Sequence, residues 1–323
     1  MAEIVALSDA MREAATLAER VAATGANVLV TGESGSGKDA MAAFIHSHSL
    51  RAAQPLVKID CATLPADLLE AELFGYERGA FTGATEAKPG RLEAAHRATL
   101  VLDEIAHLGL DAQAKLLRVI EQREFERLGG RKTISVDTRL IALTNADLRN
   151  AVARRAFRDD LFYRLNVVHI HVPPLRERPK DLAVLSGLFV SAYSEKHGMA
   201  AKEISADAAE YLKSYDFPGN VRELANIIER AVIVAKGERI EVDDLPEGLR
   251  AAAAKRARVN RRPTLREIED DYIRETLEAA KGNKTEAARI LGISRKNLYE
   301  RLEKAEVRSQ KSEVSETEVD ADL

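Results

Sequence analysis

A glycine-rich loop is the first part of the sequence whose residues could do chemistry. It reads GESGSGK and has the spacing G-x-x-x-x-G-K, ending at Lys38. Glycines let the backbone fold around phosphate so that its N–H groups point at negative charge, and the lysine adds a mobile positive charge. An apolar segment precedes the loop and a helical pattern follows it, as a phosphate-binding loop requires. The predicted nucleotide-binding residues here are Gly32, Glu33, Ser34, Gly35, Ser36, Gly37, Lys38 and Asp39.

Two acidic residues supply the second half of a nucleotide site. Asp103 and Glu104 follow the apolar residues 100–102, at a distance of 65 positions from Lys38 (103 − 38). We expect Asp103 to hold Mg²⁺, directly or through water, and Glu104 to act as the general base that polarises the attacking water. Asp39 stands where a Ser or Thr usually helps to hold Mg²⁺, so that hydroxyl is missing. The pattern predicts binding and hydrolysis of ATP with Mg²⁺.

Three further polar residues are candidates for contact with the γ-phosphate. Asn145 ends an apolar segment and could contact this phosphate, although a turn-forming Asn is an alternative interpretation. Arg158 and Arg164 are six residues apart, about 240° of helical rotation, so they cannot share one helix face. Arginines beside such a site could stabilise transition-state charge from a neighbouring subunit, and plain surface arginines are the alternative.

Alternating elements must position these residues. Helical patterns, for example Ala112–Gln122, separate short apolar segments that are partly β-branched. This order predicts an α/β domain with a mainly parallel sheet. The predicted strands are Asn27–Thr31, Leu56–Ile59, Thr99–Leu102, Arg139–Thr144 and Val167–Val172.

The remainder of the chain is predicted to be helical. The pattern runs from Asp181 to about Ala235 and indicates a small helical lid. A basic stretch with six Lys/Arg and no acid follows, which is a flexible linker that could touch phosphates or only be solvated. The predicted organisation is an ATPase subdomain at 1–172, the lid at 173–249, the basic linker at 250–263, a helix-turn-helix at 264–308 and an acidic disordered tail at 309–323.

The C-terminal pattern is that of a DNA-binding unit. Predicted helices at Glu269–Ala280 and Lys284–Leu291 are followed by a turn at Gly292, and Ser294 can N-cap a third helix. That third helix would present polar side chains to the major groove or to phosphates. A three-helix bundle that only packs is the alternative. The predicted DNA-binding residues are Arg295, Lys296, Asn297, Tyr299 and Arg301.

Composition excludes several protein classes. The net charge of −4 does not by itself indicate a nucleic-acid partner, so local charge must carry that question. Cys61 is the single cysteine, which rules out an internal disulfide and fits a reducing cytoplasm; we interpret it as a small buried residue. The N-terminus has no signal-peptide pattern, and no apolar run approaches the 18 or so residues of a membrane span.

A second motif gives the strongest link to a known family. The string GAFTGA at 79–84, together with the motifs above, resembles the AAA+ domain of sigma-54-dependent activators of the nitrogen regulatory protein C type. The resemblance runs from about Ala10 to Val307, and the C-terminal unit is similar to the Fis-type domain of these activators. In that family the GAFTGA loop contacts sigma-54 and couples hydrolysis to promoter opening. The implied contact residues are Gly79, Ala80, Phe81, Thr82, Gly83 and Ala84.

The resemblance implies further roles. Phe217–Leu224 matches the sensor II segment, which would place Arg222 over the nucleotide from the lid, and Arg158 and Arg164 match the arginine fingers. Asp60 stands where the family often has an Asn that restrains the catalytic Glu. Implied partners are enhancer DNA, the sigma-54 RNA polymerase holoenzyme and further copies of the chain, from a dimer to a hexamer ring. A receiver or sensing domain often precedes this module, so either a separate regulatory protein controls the chain or the sequence is part of a longer one.

The sequence therefore predicts an ATP-dependent activator of sigma-54 promoters. A DNA-binding regulator with a vestigial ATPase, acting by occlusion, is a second hypothesis. The intact Lys38, Asp103, Glu104 and GAFTGA string argue against it. A general AAA+ remodeller of proteins or DNA junctions is a third, and the helix-turn-helix and the GAFTGA string disfavour it.

Overall fold

A computed structural model describes residues 4–251, 265–280, 282–299 and 301–302. The chain forms two compact units, residues 1–250 and 251–323, which are treated separately below. Most of the predicted basic linker at 250–263 and all of the predicted acidic tail at 309–323 lie outside the described residues.

A five-stranded parallel sheet forms the centre of the first unit. Its five strands correspond to the five predicted segments, and no strand end differs from the prediction by more than one residue. The α/β class with a parallel sheet is confirmed. The strands of this sheet are β1 Val28–Thr31, β2 Leu56–Asp60, β5 Thr99–Asp103, β8 Arg139–Thr144 and β9 Val168–His171. Their order across the sheet is β2-β5-β8-β1-β9.

Both faces of this sheet are covered by helices. Successive side chains of a strand point to opposite faces, so Leu100 and Leu102 enter one core while Val101 enters the other. Continuous burial of β8 follows from this two-sided packing, which is typical of parallel sheets. The helices of this layer are α1 Asp9–Ala22, α2 Lys38–Ser47, α3 Ala66–Phe74, α4 Arg91–Ala94, α5 Leu110–Gln122, α6 Leu148–Ala153 and α7 Asp159–Leu165.

Two antiparallel strand pairs interrupt the α/β pattern. The first joins β3 Gly75–Tyr76 to β4 Lys88–Pro89, and the second joins β6 Glu124–Glu126 to β7 Thr133–Ser135. Strands of two or three residues are too short to show a period in the sequence, which explains why neither pair was predicted. The GAFTGA string lies in the connection between β3 and β4.

The longer helices of the lid are α8 Pro179–Lys196, α9 Ala206–Ser214 and α10 Asn220–Val234. It differs from the predicted all-helical lid by one short parallel pair, β10 Glu203–Ile204 with β11 Arg239–Ile240. These strands add only two hydrogen-bonded positions each, so the lid core remains helical, with Phe217 fully buried in it.

The C-terminal unit has the predicted helix-turn-helix arrangement. Helices at Leu265–Ala279 and Lys284–Ile290 precede a third helix that begins at residue 295. Ser294 Oγ accepts a hydrogen bond from the Asn297 backbone N–H at 3.2 Å, as predicted for an N-cap. The small core is formed by Ile273, Ala287, Ala288 and Leu298. None of the helices among the described residues combines the length and the apolar character that crossing a membrane would need.

Candidate active site

The phosphate loop joins the carboxyl end of β1 to the start of α2. Gly35 and Gly37 have φ angles of +72° and +107°, which suit glycine. A Cβ at Gly35 would lie 2.4 Å from the Gly219 carbonyl oxygen of the lid, so a larger residue cannot fit there. The Lys38 ammonium is buried and donates to the carbonyl oxygens of Gly32 at 3.0 Å and Glu33 at 3.2 Å. The loop therefore folds around one buried cation.

The two predicted acids lie beside this lysine. Asp103 ends β5, and Glu104 follows with a φ of +50°, a left-handed conformation that is uncommon for a residue with a side chain. Glu104 Oε1 lies 3.7 Å from Lys38 Nζ, and Oε2 accepts from the Asn145 backbone N–H at 3.1 Å. The end of β8 therefore orients the Glu104 carboxylate through a backbone contact.

A lysine that sequence reasoning missed joins the acids. Lys58 on β2 donates to Asp103 Oδ2 at 2.8 Å and also contacts Asp39 Oδ1 at very close range. Partial burial alone would lower the pKa of Lys58, but its hydrogen bonds to Asp103 and Asp39 raise it above the ordinary value. Its ammonium lies between two carboxylates, in the place that a metal ion could take. One or two carboxylates plus substrate phosphates are the usual ligands of Mg²⁺ in nucleotide sites, so the donor set fits that ion.

Two neighbours of the acids have local roles. Asp60 accepts from the backbone N–H of Ala62 at 2.9 Å and lines the same cleft as Glu104. Cys61 is buried, and burial together with the nearby carboxylates raises its pKa to about 12, which keeps the thiol neutral and unreactive.

A cleft of about 450 Å³ brings most of the predicted residues together. The lid closes one side, where Arg222 Nη1 donates to Ser34 Oγ at 3.2 Å. Apolar lid residues beside Arg222 supply a surface that could cover a nucleotide. The lining residues include Ser34, Gly35, Gly37, Lys38, Asp39, Asp60, Asp103, Glu104, Phe189, Val221, Arg222 and Ala225.

The lid is attached to the phosphate loop by a polar junction. Arg176 donates two hydrogen bonds to Glu33, at 2.9 and 2.7 Å, and Asn220 donates to Glu33 Oε2 and to the Ser34 carbonyl oxygen, each at 3.0 Å. The hydrogen bonds from Arg176 and then Asn220 lower the pKa of Glu33 to about 2. Sequence reasoning missed Asn220, although it lies in the Phe217–Leu224 string, and gave Glu33 no role beyond the loop.

Six predicted nucleotide-site residues do not line this cleft: Gly32, Glu33, Ser36, Asn145, Arg158 and Arg164. Arg158 lies just before α7, so the argument from helical rotation was wrong for this pair. The Arg158 guanidinium donates two hydrogen bonds to the Asp160 carboxylate, at 3.0 and 2.7 Å. Arg164 forms an ion pair with Glu121 at 2.9 Å. Both guanidinium groups are exposed. Asn145 contributes its backbone to Glu104, but it lines a separate cleft of about 560 Å³.

The GAFTGA string forms a closed turn. The Gly79 N–H donates to the Ala84 carbonyl oxygen at 2.8 Å, and Ala84 is buried. Phe81 is 40% exposed and packs edge-on against Tyr76, with 4.9 Å between ring centroids. Thr82 is exposed at the tip of the turn. Ala80 and Gly83 are the other two predicted residues of this turn. The turn therefore presents one aromatic ring and one hydroxyl to solvent.

Most of the predicted DNA-binding residues are exposed on the third C-terminal helix. Arg295, Lys296 and Asn297 have free surface there. Arg301 differs, because it donates to Asn297 Oδ1 at 3.0 Å and pairs closely with Glu269. The Lys284 ammonium lies over the Tyr299 ring, 4.7 Å from the ring centroid. Arg301 must therefore leave internal partners before it can contact DNA.

Comparisons with known proteins cover all three parts of the chain. Residues 4–171 match the model of the sigma-54 interaction domain, residues 176–262 that of the AAA+ ATPase lid domain, and residues 264–304 that of the bacterial regulatory protein, Fis family. The transcriptional regulatory protein FlbD of Caulobacter vibrioides is 45% identical over 317 residues, spanning 93% of this chain and 69% of FlbD. The regulatory protein AtoC of Escherichia coli is 44% identical, spanning 93% of this chain and 67% of AtoC.

A solved structure agrees with these matches. NtrX from Brucella abortus, crystallised in complex with ATP, is similar with a TM-score of 0.74 and 34% identity over 94% of this chain and 69% of NtrX. The same NtrX has been crystallised with ADP, with a TM-score of 0.72. These likenesses extend over the sheet, the lid and the helix-turn-helix, and the chain belongs to the family of sigma-54-dependent transcriptional activators.

Proposed function

We propose that this protein binds enhancer DNA and uses ATP hydrolysis to remodel the sigma-54 RNA polymerase holoenzyme so that promoters open. The observation that carries the proposal is the convergence of Lys38, Asp103 and Glu104 in one cleft, in a chain that also bears an exposed GAFTGA turn and a helix-turn-helix. A cytoplasmic protein is implied, because RNA polymerase and DNA are there.

The nucleotide chemistry follows from the residues of the cleft. Lys38 now holds loop carbonyl oxygens, and it would transfer its donors to the β- and γ-phosphates of ATP. Asp103, with Asp39 nearby, would hold Mg²⁺, which supplies positive charge against the phosphates when bound. Glu104 would accept a proton from the attacking water, and its contact with the Asn145 backbone keeps it aimed.

We infer that the active form is a homo-oligomer, from a dimer to a hexamer ring. Arg158 and Arg164 do not line their own subunit's cleft, and each is exposed with only a surface ion pair to leave. Such arginines fit a role across a subunit boundary, where they would stabilise the charge that develops on the γ-phosphate. A separate regulatory protein could then act on assembly.

The DNA contact is assigned to the third C-terminal helix. Arg295 and Lys296 open this helix, where base edges are read in helix-turn-helix proteins. Asn297 and Tyr299 are exposed on the same helix, and Arg301 would join after leaving Glu269. Enhancer binding of this kind would place the ATPase near its polymerase.

The test is transcription in vitro from a sigma-54 promoter, with and without ATP, using the unchanged chain and Thr82→Ala. We expect ATP-dependent open complexes from the unchanged chain. Thr82→Ala should keep most ATPase activity yet lose promoter opening, because Thr82 lies outside the phosphate-binding cleft. Thr85→Ala, an exposed threonine just beyond the turn, is the matched control and should open promoters normally.

The same assay separates the rival functions. Transcription that ATP does not alter, together with DNA binding, would favour a regulator that acts by occlusion. ATP hydrolysis without any effect on sigma-54 promoters would favour a general remodeller. Normal promoter opening by Thr82→Ala would mean that the turn is not the sigma-54 contact.

A further inference from the structure

A buried polar cluster joins the N-terminal segment to the phosphate loop. Asp181, fully buried at the start of α8, accepts two backbone hydrogen bonds through Oδ1, from Leu7 at 2.7 Å and from Ser8 at 2.8 Å. Arg178 is only 2% exposed, and its Nη2 donates to the carbonyl oxygen of Ser36 at 2.8 Å. One short stretch of the lid junction therefore holds both the residues before α1 and the backbone that would cradle phosphate.

The charges of this cluster depend on each other. Burial lowers the pKa of Arg178, and the charge of Asp181 opposes that lowering. The Asp181 backbone N–H also donates to the Arg178 carbonyl oxygen at 3.0 Å, so the two residues form one turn. Opposite charges that are buried in one turn attract each other, so a displacement of one member is felt by the other.

The cluster also holds unused hydrogen-bonding capacity. Four buried atoms of its residues have no hydrogen-bond partner among the described residues: Ser8 Oγ, Ser36 Oγ, Arg178 Nε and Asp181 Oδ2. Buried polar atoms are normally satisfied, and exceptions mark places where a second arrangement or a water completes the network. Spare donors and acceptors on both sides allow the cluster to change partners when the phosphate loop moves.

From this geometry we infer that Arg178 and Asp181 are positioning residues that couple nucleotide affinity to the anchoring of residues 7–8. Arg178 holds the Ser36 carbonyl oxygen of the phosphate loop, and its own backbone carbonyl accepts from the Asp181 N–H, so both residues move with one turn. Anything that pulls Leu7 and Ser8 away from Asp181 would weaken nucleotide binding. Because such coupling is reciprocal, bound nucleotide must also stabilise the anchored segment.

This inference rests on the nucleotide-binding part of the proposed function. The variant Ser8→Pro tests the coupling itself. Ser8 has a φ of −75°, which proline adopts, and its side chain makes no cap hydrogen bond. The change therefore replaces one N–H donor to Asp181 with the proline Cδ, which also pushes the carboxylate away. Asp9→Pro is the matched control, since a proline at the first helical position removes no bond to Asp181 and costs only an exposed pair with Arg12.

ADP titration of the full-length variants is the first measurement. We expect Ser8→Pro to bind ADP at least about fivefold more weakly than the unchanged chain, the lower end of couplings between sites, and Asp9→Pro to bind normally. Asp181→Asn, which keeps an oxygen acceptor but removes the charge beside Arg178, should also weaken binding. Circular dichroism verifies that each variant is folded.

Hydrogen exchange supplies the reciprocal measurement. Saturating ADP should slow exchange of the Leu7 and Ser8 amides in the unchanged chain. Normal ADP binding by folded Ser8→Pro, equal losses in both proline variants, or unprotected Leu7 and Ser8 amides would each overturn the coupling. Failure of the unchanged chain to bind ADP would instead overturn the proposed function itself.

Discussion

A Glu104→Gln variant is expected to bind ATP but to hydrolyse it about 10²–10⁴ times more slowly than the unchanged protein, the usual contribution of a general base. The glutamine amide has the shape of the carboxylate, and its oxygen can still accept from the Asn145 N–H that Glu104 Oε2 contacts at 3.1 Å. The left-handed backbone at this residue should therefore be retained. What is lost is the ability to take a proton from water.

The expected magnitudes follow from the contacts of Glu104. The loss in rate corresponds to about 3–5 kcal/mol in the activation barrier. Glu104 Oε1 lies 3.7 Å from Lys38 Nζ and competes with phosphate for that ammonium. Two unit charges about 4 Å apart interact by about 1–4 kcal/mol at effective dielectric constants from 80 to 20. Removing the carboxylate charge thus favours ATP, and its affinity should stay constant or rise.

The assay pairs single-turnover phosphate release with ATP titration. Glu70→Gln is the matched control, because Glu70 also lies beside a lysine, Lys115 at 2.6 Å, and each carboxylate side chain is 19% exposed. The control should hydrolyse ATP normally. A folded Glu104→Gln protein that hydrolyses ATP within about threefold of the unchanged rate, or that no longer binds ATP, would refute the assignment of Glu104 as base.

Three further predictions address the metal, the subunit boundary and DNA. In the absence of nucleotide, Lys58→Met should bind Mn²⁺ about tenfold more tightly than the unchanged chain, because an ammonium no longer pairs with Asp103. Electron paramagnetic resonance measures this affinity. The control Lys115→Met, whose lysine is 41% exposed against 42% for Lys58, should leave the Mn²⁺ affinity unchanged. Equal Mn²⁺ affinities would show that Lys58 does not compete with the metal. Mixing Arg158→Ala with Lys38→Ala protein should restore some hydrolysis, and co-assembled mixtures without any would place Arg158 outside the neighbouring site. Arg295→Ala should weaken enhancer binding by about 1–3 kcal/mol in a filter or fluorescence titration if it reads a guanine, and unchanged affinity would remove Arg295 from the interface.

Local patterns predicted much of this structure. The strand Arg139–Thr144 has the predicted ends because a strand buried on both faces shows as a continuous apolar run. The phosphate loop and the Ser294 cap are likewise encoded by residue types at fixed short spacing. Helix ends were less accurate: α5 begins two residues earlier than predicted, because Leu110 and Asp111 are exposed and lie outside the periodic apolar face.

Contacts between residues distant in the chain could not be predicted. Lys58 reaches Asp103 only because β2 and β5 are neighbours in the sheet, and nothing near Lys58 in the sequence indicates that pairing. The same holds for Asp181, which contacts Leu7 across 174 positions. Such sites depend on the tertiary arrangement, so a single sequence shows the residues but not their partners.

The two short antiparallel pairs, β3 with β4 and β6 with β7, contact each other. Tyr76 forms a backbone bridge with Leu128, and Arg127 pairs with both Glu77 and Glu93. A Cβ at Gly129 would already lie 2.9 Å from that of Ala80. A force on the GAFTGA turn is therefore shared by both strand pairs. The β3–β4 connection is stiffer than it would be without the second pair. If the protein works as proposed, ATP hydrolysis would move the tip of the turn instead of bending its base.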